Sequence, residues 1–275
     1  METNGRVAVI TGGASGIGLG VARAFAAAGM KLMVADLDEA MLATAVDELS
    51  LSGVEVAGQT CDVSRLEQVE ALAAATLDRF GAVHVLCNNA GVGLPTPTNN
   101  IRLEDWRWMI DVDLWGPIYG VKTFLPIMEA QGEGHINATS SLAGLFGGGF
   151  MGAYNVAKHG VVALMTTLER DLRGRKSPIR ASVLCPGPIN TAISRHSVEF
   201  RPSKAKPKTD SAAEGRAGAN VQAALDKGMD PDEVGRLVLD GIQRDKFWLL
   251  THPYFTKILS RQLEALITDG SLTKG

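Results

Sequence analysis

A glycine-rich turn between a short apolar segment and an alanine-rich segment constrains the fold of this chain more than any other feature. Residues 7–10 (VAVI) have the composition of a buried strand, and TGGASGIG follows at residues 11–18. In the spacing TGxxxGxG the missing side chains let the backbone approach a pyrophosphate, and the N-terminus of the following helix favours an anion. The turn therefore predicts a dinucleotide-phosphate site at Gly12, Ser15, Gly16, Ile17 and Gly18.

The rest of the chain alternates short apolar runs with longer stretches of helical period, which is typical of a parallel sheet with helices on both faces. Further strands are predicted at 31–36, 54–62, 83–87, 134–140, 180–185 and 247–250. Helices are predicted at 66–80, from about 103 to 130 with a kink at Pro117 and a second irregularity at Pro126, and at 154–173. We therefore expect one α/β domain over residues 1–275, a doubly wound parallel sheet of about seven strands.

Between Thr191 and Asp230 this alternation breaks into a polar stretch that contains RPSKAKPK at residues 201–208. Long segments without regular structure are uncommon inside a compact domain unless they act as lids or are disordered. We expect a mobile insertion at about 192–230 that closes over the substrate as a lid. The basic stretch also fits a solvated loop or a partner contact, and charge alone does not choose among these.

The charge balance and the apolar runs limit the partners of the chain. There are 27 Lys and Arg against 30 Asp and Glu, a formal net charge of -3, so the basic excess that nucleic-acid binding needs is missing. No apolar run approaches the roughly 20 residues of a membrane helix, and residues 7–10 indicate a strand rather than a signal peptide. We expect a cytoplasmic protein that contacts neither nucleic acid nor membrane.

Cysteine and histidine spacing gives no indication of a metal site. Cys61, Cys87 and Cys185 each follow a strand-like segment, and none belongs to a CxxC pair, so we expect them to pack as small hydrophobic residues in a reducing compartment. The five histidines show no HxxxH or HExxH spacing, which would place two ligands on one helical face. We therefore expect no catalytic metal.

Asp36 ends the second predicted strand, 18 residues after Gly18. An acidic side chain there accepts hydrogen bonds from the adenosine ribose hydroxyls and repels a 2′-phosphate. Neither Ser15 nor Leu37 is the basic residue that would offset this repulsion. A solvated Asp that caps a helix is the alternative explanation. The sequence predicts NAD(H) rather than NADP(H), with Asp36 and Leu37 beside the ribose.

Tyr154 and Lys158 are four residues apart in YNVAK, so on a helix they share one face. A neighbouring cation stabilises phenolate, and lowering the Tyr pKa of about 10 by roughly three units would make it a usable base at neutral pH. Ser141 ends the preceding predicted strand, 13 residues before Tyr154, and is placed to donate a hydrogen bond to a substrate oxygen. YxxxK occurs often by chance, but together with Ser141 it indicates acid–base catalysis.

Together these motifs resemble the short-chain dehydrogenase/reductase family in its compact form. The matching motifs follow the family order from about Arg6 to Leu250: TGGASGIG, Asp36, CDV at 61–63, NNAG at 88–91, Ser141, YNVAK and PGPINT at 186–191. The resemblance implies a Rossmann-type domain with strand order 3-2-1-4-5-6-7 and an NAD(H)-dependent oxidoreductase.

The resemblance also implies further site residues. Asp62 and Val63 would hold the adenine, and Lys158 would also bind the nicotinamide ribose. The central cofactor site and the carboxamide pocket would be formed by Asn89, Ala90, Gly91, Pro186, Gly187, Ile189 and Thr191. In this family the helices that match residues 103–130 and 154–173 pair between subunits, and here they carry more apolar surface than one sheet face needs. A homodimer or homotetramer is therefore expected.

Two positions depart from the family pattern. Asp113, in DVDLWG, stands where Asn usually supports an irregular helical turn and a water in the proton relay. An Asp lacks the amide donor and adds a charge near Lys158, unless burial keeps it protonated and it then acts as Asn does. We favour the protonated form. Asn137 replaces an apolar strand residue, which we expect to affect only local packing.

These features predict an enzyme that transfers a hydride between NAD(H) and a secondary alcohol or ketone, with Tyr154, Ser141 and Lys158 in the chemistry. Mostly apolar residues are expected around the substrate and suggest a hydrophobic alcohol: Val92, Leu94, Leu142, Phe146, Phe150, Met151, Pro188 and Ile193. The alternative is a non-catalytic NAD(H) sensor or scaffold, which has no need of all three catalytic residues. An epimerase or dehydratase is disfavoured because those enzymes usually carry longer substrate domains.

Overall fold

Seven parallel strands form one sheet in the part of the chain that the computed structural model describes, residues 1–202 and 212–271. The strands lie in the order β3-β2-β1-β4-β5-β6-β7. They are β1 (Val7–Thr11), β2 (Lys31–Asp36), β3 (Val56–Thr60), β4 (Val85–Asn88), β5 (His135–Thr139), β6 (Arg180–Cys185) and β7 (Trp248–Leu250). The predicted doubly wound sheet and the strand order implied by the resemblance are confirmed.

Helices connect these strands and cover both faces of the sheet. They are α1 (Gly16–Ala27), α2 (Glu39–Ser50), α3 (Leu66–Phe80), α4 (Leu103–Ile110), α5 (Gly116–Gln131), α6 (Gly152–Gly174), α7 (Ile193–Phe200), α8 (Ala212–Asp226), α9 (Pro231–Gln243) and α10 (Thr256–Thr268). Short 3-10 turns precede α6 at Leu142–Gly144 and α10 at Pro253–Phe255.

Burial on both faces explains why the strands have continuous apolar sequences. All residues of β1 are buried. Val9 packs into the apolar core beneath α3, α5 and α6, whereas Ala8 and Ile10 pack into the core beneath α1 and α9. The strand order reverses between β1 and β4, and in such sheets a crevice opens at the carboxyl ends of the strands at this point.

The long helix predicted at 103–130 is interrupted. After α4 ends at Ile110, residues Asp111–Trp115 form a wider π-helical turn before α5 begins. Pro117 lies in the first turn of α5, where a missing N–H costs little. The kink predicted at Pro117 is therefore wrong, and the irregularity lies just before it. Pro126 lies inside α5.

The region at 192–230 contains regular structure that the sequence analysis did not predict. Helices α7 and α8 lie within it, so the expectation of an irregular segment is wrong for these residues. The alanine content of α8 gives it helix propensity despite its glycines. Residues 203–208 of the RPSKAKPK stretch lie outside the described residues. Helix α10 was not predicted either.

Among the described residues, no helix is both long and apolar enough to cross a membrane. The cysteines at positions 61, 87 and 185 are buried and free. Burial raises the pKa of the Cys61 thiol to about 11, so this group is protonated at neutral pH and packs as a small apolar side chain.

Candidate active site

A cavity of about 420 Å³ opens at the carboxyl ends of the strands, beside the reversal between β1 and β4. It brings together most of the residues predicted from the sequence: Gly12, Ser15, Gly16, Ile17, Asp36, Leu37, Asp62, Val63, Asn89, Ala90, Gly91, Tyr154, Lys158, Pro186 and Thr191. The remaining predicted residues do not line it directly: Gly18, Asp113, Ser141, Gly187 and Ile189.

The glycine turn at one end of the cavity leaves no room for side chains. A Cβ on Gly12 would lie 2.7 Å from Cα of Ala90, and one on Gly18 would lie 2.0 Å from the carbonyl oxygen of Gly12. Gly12 and Gly16 also have positive φ angles, +61° and +50°. Helix α1 begins at this turn, so its first N–H groups and the positive end of its dipole lie where a pyrophosphate would bind.

A hydrogen-bond network holds the NNAG turn against the glycine turn. The Nδ2 atom of Asn89 donates to the carbonyl oxygens of Thr11 and Gly12, at 3.1 and 3.2 Å. The Thr11 hydroxyl oxygen accepts from the backbone N–H groups of Asn89 and Ala90. The hydroxyl of Thr139 donates to the Asn89 Oδ1 atom at 3.1 Å. Neither Thr11 nor Thr139 was predicted as a site residue: Thr11 opens the glycine motif, but only its glycines, Ser15 and Ile17 were assigned to the site, and Thr139 stands in no ligand-binding motif.

Asp36 is held at the edge of the cavity by two backbone donors. Its Oδ2 atom accepts from the N–H of Ala14 at 3.0 Å, and its Oδ1 atom accepts from the N–H of Asp38 at 3.2 Å. Each carboxylate oxygen can accept a further hydrogen bond. The carboxylate is therefore fixed between the glycine turn and the end of β2, where a ribose would approach.

Asp62, on the same side of the cavity, is part of a hydrogen-bonded loop. Its Oδ1 atom accepts from the N–H and the hydroxyl of Ser64, at 3.0 and 2.6 Å, and its own N–H donates to Oε1 of Gln68 at 2.7 Å. These contacts fix the loop beside Val63. Ser64, which was not predicted as a site residue, also lines the cavity.

Tyr154 and Lys158 come from the first turns of α6 and meet Ser141, which follows β5. The side chains of Tyr154 and Ser141 are hydrogen-bonded. The Nζ atom of Lys158 lies 5.5 Å from the centre of the Tyr154 ring and donates to the carbonyl oxygen of Thr139 at 3.2 Å. Ser141 also accepts from the N–H of Ala143 at 3.1 Å, which orients its hydroxyl. Phenol, hydroxyl and ammonium therefore form one cluster, in which Lys158 is buried and Ser141 and Tyr154 are partly exposed.

The pKa of the Tyr154 phenol is raised above its ordinary value. Burial has the largest effect and raises it, the Lys158 charge lowers it, the Asp113 charge raises it, and the hydrogen bond with Ser141 lowers it. From the YNVAK spacing alone, Lys158 was expected to lower this pKa. That expectation is correct for the effect of Lys158 but wrong for the net direction, because desolvation of the phenolate outweighs the cation.

Asp113 lies in the π-helical turn, fully buried behind the cavity wall. Its Oδ1 atom accepts from the N–H of Val92 at 2.9 Å and lies 3.4 Å from Nζ of Lys158, whereas its Oδ2 atom has no hydrogen-bond partner among the described residues. Burial raises the pKa of this carboxyl, and the Lys158 charge and the Val92 N–H act in the opposite direction. A Cβ on Gly91 would lie 2.9 Å from Oδ1, so glycine is needed there for close packing.

The loop after β6 is supported by segments that the sequence analysis missed. The N–H of Gly187 donates to the Thr251 hydroxyl at 3.0 Å, and a Cβ on Gly187 would lie 2.6 Å from Nδ1 of His252. Met229 pairs with the backbone on both sides of Ile189. Ile189 is 3% exposed and packs in the core beneath α1 and α9, so its side chain does not line the cavity.

The apolar part of the cavity differs from the predicted one. Only Val92 and Ile193 of the predicted set line it, and three unpredicted residues, Trp108, Val112 and Phe200, complete it together with His196 and Pro202. The other residues of the predicted set do not line this cavity: Leu94, Leu142, Phe146, Phe150, Met151 and Pro188. The positions of three of them show why: Leu94 packs in a buried cluster with Met109 and Ala153, Phe146 stacks on Phe255, and Phe150 is 40% exposed.

Comparison with known proteins gives a match to one family. Residues 6–202 match the family model described as short chain dehydrogenase. A C alpha-dehydrogenase from Sphingobium sp. is 33% identical over 265 residues, covering 95% of this chain and 85% of that protein. A 1-deoxy-11-beta-hydroxypentalenate dehydrogenase from Streptomyces exfoliatus is 37% identical over 196 residues, 70% of each chain.

Solved structures share the fold of the described residues. A short chain dehydrogenase/reductase from Burkholderia phymatum, solved in complex with NAD, is 38% identical and superposes with a TM-score of 0.95. The match covers 100% of this chain and 99% of that one.

Proposed function

Because this chain belongs to the short-chain dehydrogenase family, we propose that it is an NAD(H)-dependent enzyme that interconverts a hydrophobic secondary alcohol and its ketone. Family membership makes the chain an oxidoreductase. The observation that carries the proposal is the cluster of Ser141, Tyr154 and Lys158 beside a cavity whose other end holds the glycine turn and Asp36.

The residues present fit a dinucleotide. At the glycine turn the absence of Cβ atoms lets a pyrophosphate approach the backbone. Asp36 holds its carboxylate in a fixed orientation where the adenosine ribose would bind. That carboxylate favours free ribose hydroxyls over a 2′-phosphate, because a like-charge contact in a desolvated site is unfavourable. The neighbour from Burkholderia phymatum binds NAD, which supports the same choice here.

The chain's own residues would handle the proton. When bound, the nicotinamide supplies the redox chemistry by accepting or returning a hydride. During oxidation the Tyr154 oxygen takes the hydroxyl proton of the alcohol, and during reduction it gives that proton back. Ser141 donates a hydrogen bond that holds the reacting oxygen, and the Lys158 ammonium stabilises the phenolate.

The substrate class follows from the apolar wall of the cavity. Trp108, Val112 and Phe200 present large apolar surfaces, whereas no Arg or Lys besides Lys158 lines the cavity within the described residues. A wall of this kind favours an apolar, ring-containing alcohol over a small hydroxy acid. The name of the relative from Streptomyces exfoliatus denotes dehydrogenation of a hydroxypentalenate.

We further propose that the 275 residues form a single domain in which α7 belongs to a substrate lid at about 192–230. Helix α7 supports this because Ile193, His196 and Phe200 line the cavity. Hydrogen exchange of peptides from α7 should slow when NADH and a substrate analogue are both bound. Unchanged exchange would contradict a lid at this position.

A homodimer or homotetramer is the proposed assembly. On the outer side of α3 and α5, Trp115 is 44% exposed and packs against Tyr119, and Leu66 and Ile118 line the same shallow groove. An exposed aromatic groove of this kind is typical of a protein interface. Light scattering at micromolar concentration should give a mass of two or four chains, and Trp115→Glu should lower it.

The proposed function is tested by screening secondary alcohols of increasing apolar size with NAD+ and recording NADH absorbance. We expect turnover that improves as apolar rings are added. A small charged hydroxy acid as the best substrate would contradict the proposed substrate class, and the absence of turnover with every hydroxy compound would contradict the function.

A further inference from the structure

Helix α7 lines the cavity but has little core packing of its own. Of its eight residues, all of them described, Ser197 is the buried one, and none belongs to the apolar core clusters. Val198 is 65% exposed. Helices in proteins take most of their stability from packing an apolar face, so the position of α7 depends on its polar contacts.

Two polar contacts attach α7 to the substrate side of the cavity. The hydroxyl oxygen of Ser197 accepts from the N–H of Gly93 at 2.8 Å in a buried contact. Arg201, the residue after the helix, lies with Nε 3.2 Å from both carboxylate oxygens of Asp105, and its second guanidinium nitrogen lies 2.7 Å from Oδ2. The two side chains are only 14% and 3% exposed, so this two-point ion pair is shielded from solvent.

The ion pair lies where α4 and α7 present aromatic side chains to the cavity. Asp105 and Trp108 are three residues apart on α4, which places them on one face of that helix. Arg201 stands between Phe200 and Pro202, and both of these line the cavity, as Trp108 does. The separation of the two aromatic walls is therefore linked to the geometry of one ion pair.

We propose that the Arg201–Asp105 ion pair is a positioning device that sets the distance between Trp108 and Phe200 to admit the aromatic end of the substrate alcohol. This inference rests on the proposed function, since it names what the apolar wall recognises. Arg201 and Asp105 are positioning residues, because they act through their neighbours. The planar guanidinium fixes both distance and angle, which a lysine ammonium cannot do.

A kinetic comparison of two alcohols tests the device. The probes are 1-phenylethanol, which has an aromatic end, and 2-propanol, which has none. Arg201→Gln and Arg201→Lys should each raise KM for 1-phenylethanol about tenfold, because binding of the aromatic end between Trp108 and Phe200 is lost. For 2-propanol, both kcat and kcat/KM should stay within about twofold of wild type. The double variant Asp105→Arg with Arg201→Asp should recover part of the loss.

The matched control is Arg23→Gln. Arg23 makes a similar two-point contact with Glu48, at 2.6 and 3.1 Å, and a further contact with Asp232 at 3.1 Å, but it joins α1 to α2 and α9 at an exposed surface. This variant should leave KM for both alcohols unchanged. Equal KM values for 1-phenylethanol in wild type and Arg201→Gln, with wild type active, would overturn the inference and leave the proposed function intact.

A second readout does not need activity. Hydrogen exchange in residues 193–200 should be faster in Arg201→Gln and unchanged in Arg23→Gln, while NADH binding, followed by fluorescence, stays as in wild type. Exchange in α7 that is equal in Arg201→Gln and wild type would overturn the inference. If wild type oxidises neither alcohol, these two probes give the proposed function no support, and the exchange result alone decides whether the ion pair positions α7.

Discussion

The Nζ atom of Lys158 lies 3.4 Å from Oδ1 of Asp113, and both side chains are almost completely shielded from solvent. Burial raises the pKa of the Asp113 carboxyl. For Lys158, burial alone would lower the pKa of the ammonium, but the nearby Asp113 and Tyr154 outweigh it and raise that pKa. An ionised Asp113 therefore holds Lys158 protonated and opposes ionisation of Tyr154, whereas a protonated Asp113 does neither.

We expect Asp113→Asn to change the turnover rate by no more than a few-fold. Burial favours the protonated carboxyl, and a neutral acid offers both a donor and an acceptor as Asn does. The pH profile of kcat should keep its position in the variant. A large gain in rate, or a shift of the profile by a full pH unit, would show that Asp113 is charged and raises the pKa of Tyr154.

The rate of alcohol oxidation should rise through the alkaline range. The raised pKa of Tyr154 means that its base form is populated only at high pH. Ketone reduction needs the phenol proton, so it should be maximal at lower pH and decline as oxidation rises. Profiles of kcat/KM against pH in both directions, at saturating cofactor, check this.

Removing the cation should move both profiles. In Lys158→Met the charge that lowers the pKa of Tyr154 is lost. The rise of kcat/KM for alcohol oxidation should therefore move to higher pH by about one unit or more. Lys257→Met, which removes an exposed lysine on α10 away from the cavity, is the control and should leave the profile in place. An unshifted profile in Lys158→Met would mean that a group other than Tyr154 titrates.

The fold could be predicted from the sequence because its signals are local. Strands such as β1, buried on both faces, have continuous apolar sequences, and the glycines at 12, 16 and 18 stand in one turn. The catalytic cluster was predictable for the same reason, since Tyr154 and Lys158 are one helical turn apart.

The rest of the site depends on contacts between distant residues. Asp105 and Arg201 are 96 residues apart, and Gly187 and Thr251 are 64 apart, so neither pair leaves a pattern in one sequence. Most residues of the predicted apolar wall do not line the cavity, because motif neighbours such as Leu94 and Phe146 pack elsewhere. The net pKa of Tyr154 could not be predicted because the sequence does not give burial.

Cofactor preference should rest on Asp36. Asp36→Ala combined with Leu37→Arg removes the carboxylate and supplies a cation for a 2′-phosphate, so the ratio of kcat/KM for NAD+ to that for NADP+ should fall by about two orders of magnitude. Asp38→Asn is the control, because Asn keeps the cap of α2 and Asp38 does not line the cavity. A wild-type preference for NADP(H) would contradict the assignment.

His135 should make stability depend on acid pH. Its Nε2 atom lies 2.8 Å from the Ser182 hydroxyl, which also accepts from Asn137, and burial lowers its pKa to about 4. The folded protein then binds fewer protons than the unfolded chain between pH 6.5 and 4. The contribution of neutral His135 to the free energy of unfolding is therefore fully present above pH 6.5 and is lost as the pH falls towards 4. The expected loss is about 3 kcal/mol in the free energy of unfolding.

Urea unfolding between pH 7 and pH 4.5 checks this contribution. His135→Gln should flatten the pH dependence in this range, whereas substitution of the exposed His159 by Gln should not. A wild-type slope that survives in His135→Gln would assign the effect to other groups.

The most direct test of the proposed function is the Tyr154→Phe variant, because it removes one oxygen atom and leaves the ring in place. The alcohol that wild type oxidises best is used at saturating NAD+, and NADH binding is measured separately by fluorescence. Hydride transfer should fall by about a thousandfold or more while NADH binding stays within a few-fold of wild type. Retained turnover would show that another group handles the proton, and the assignment of Tyr154 as the acid and base would then be wrong.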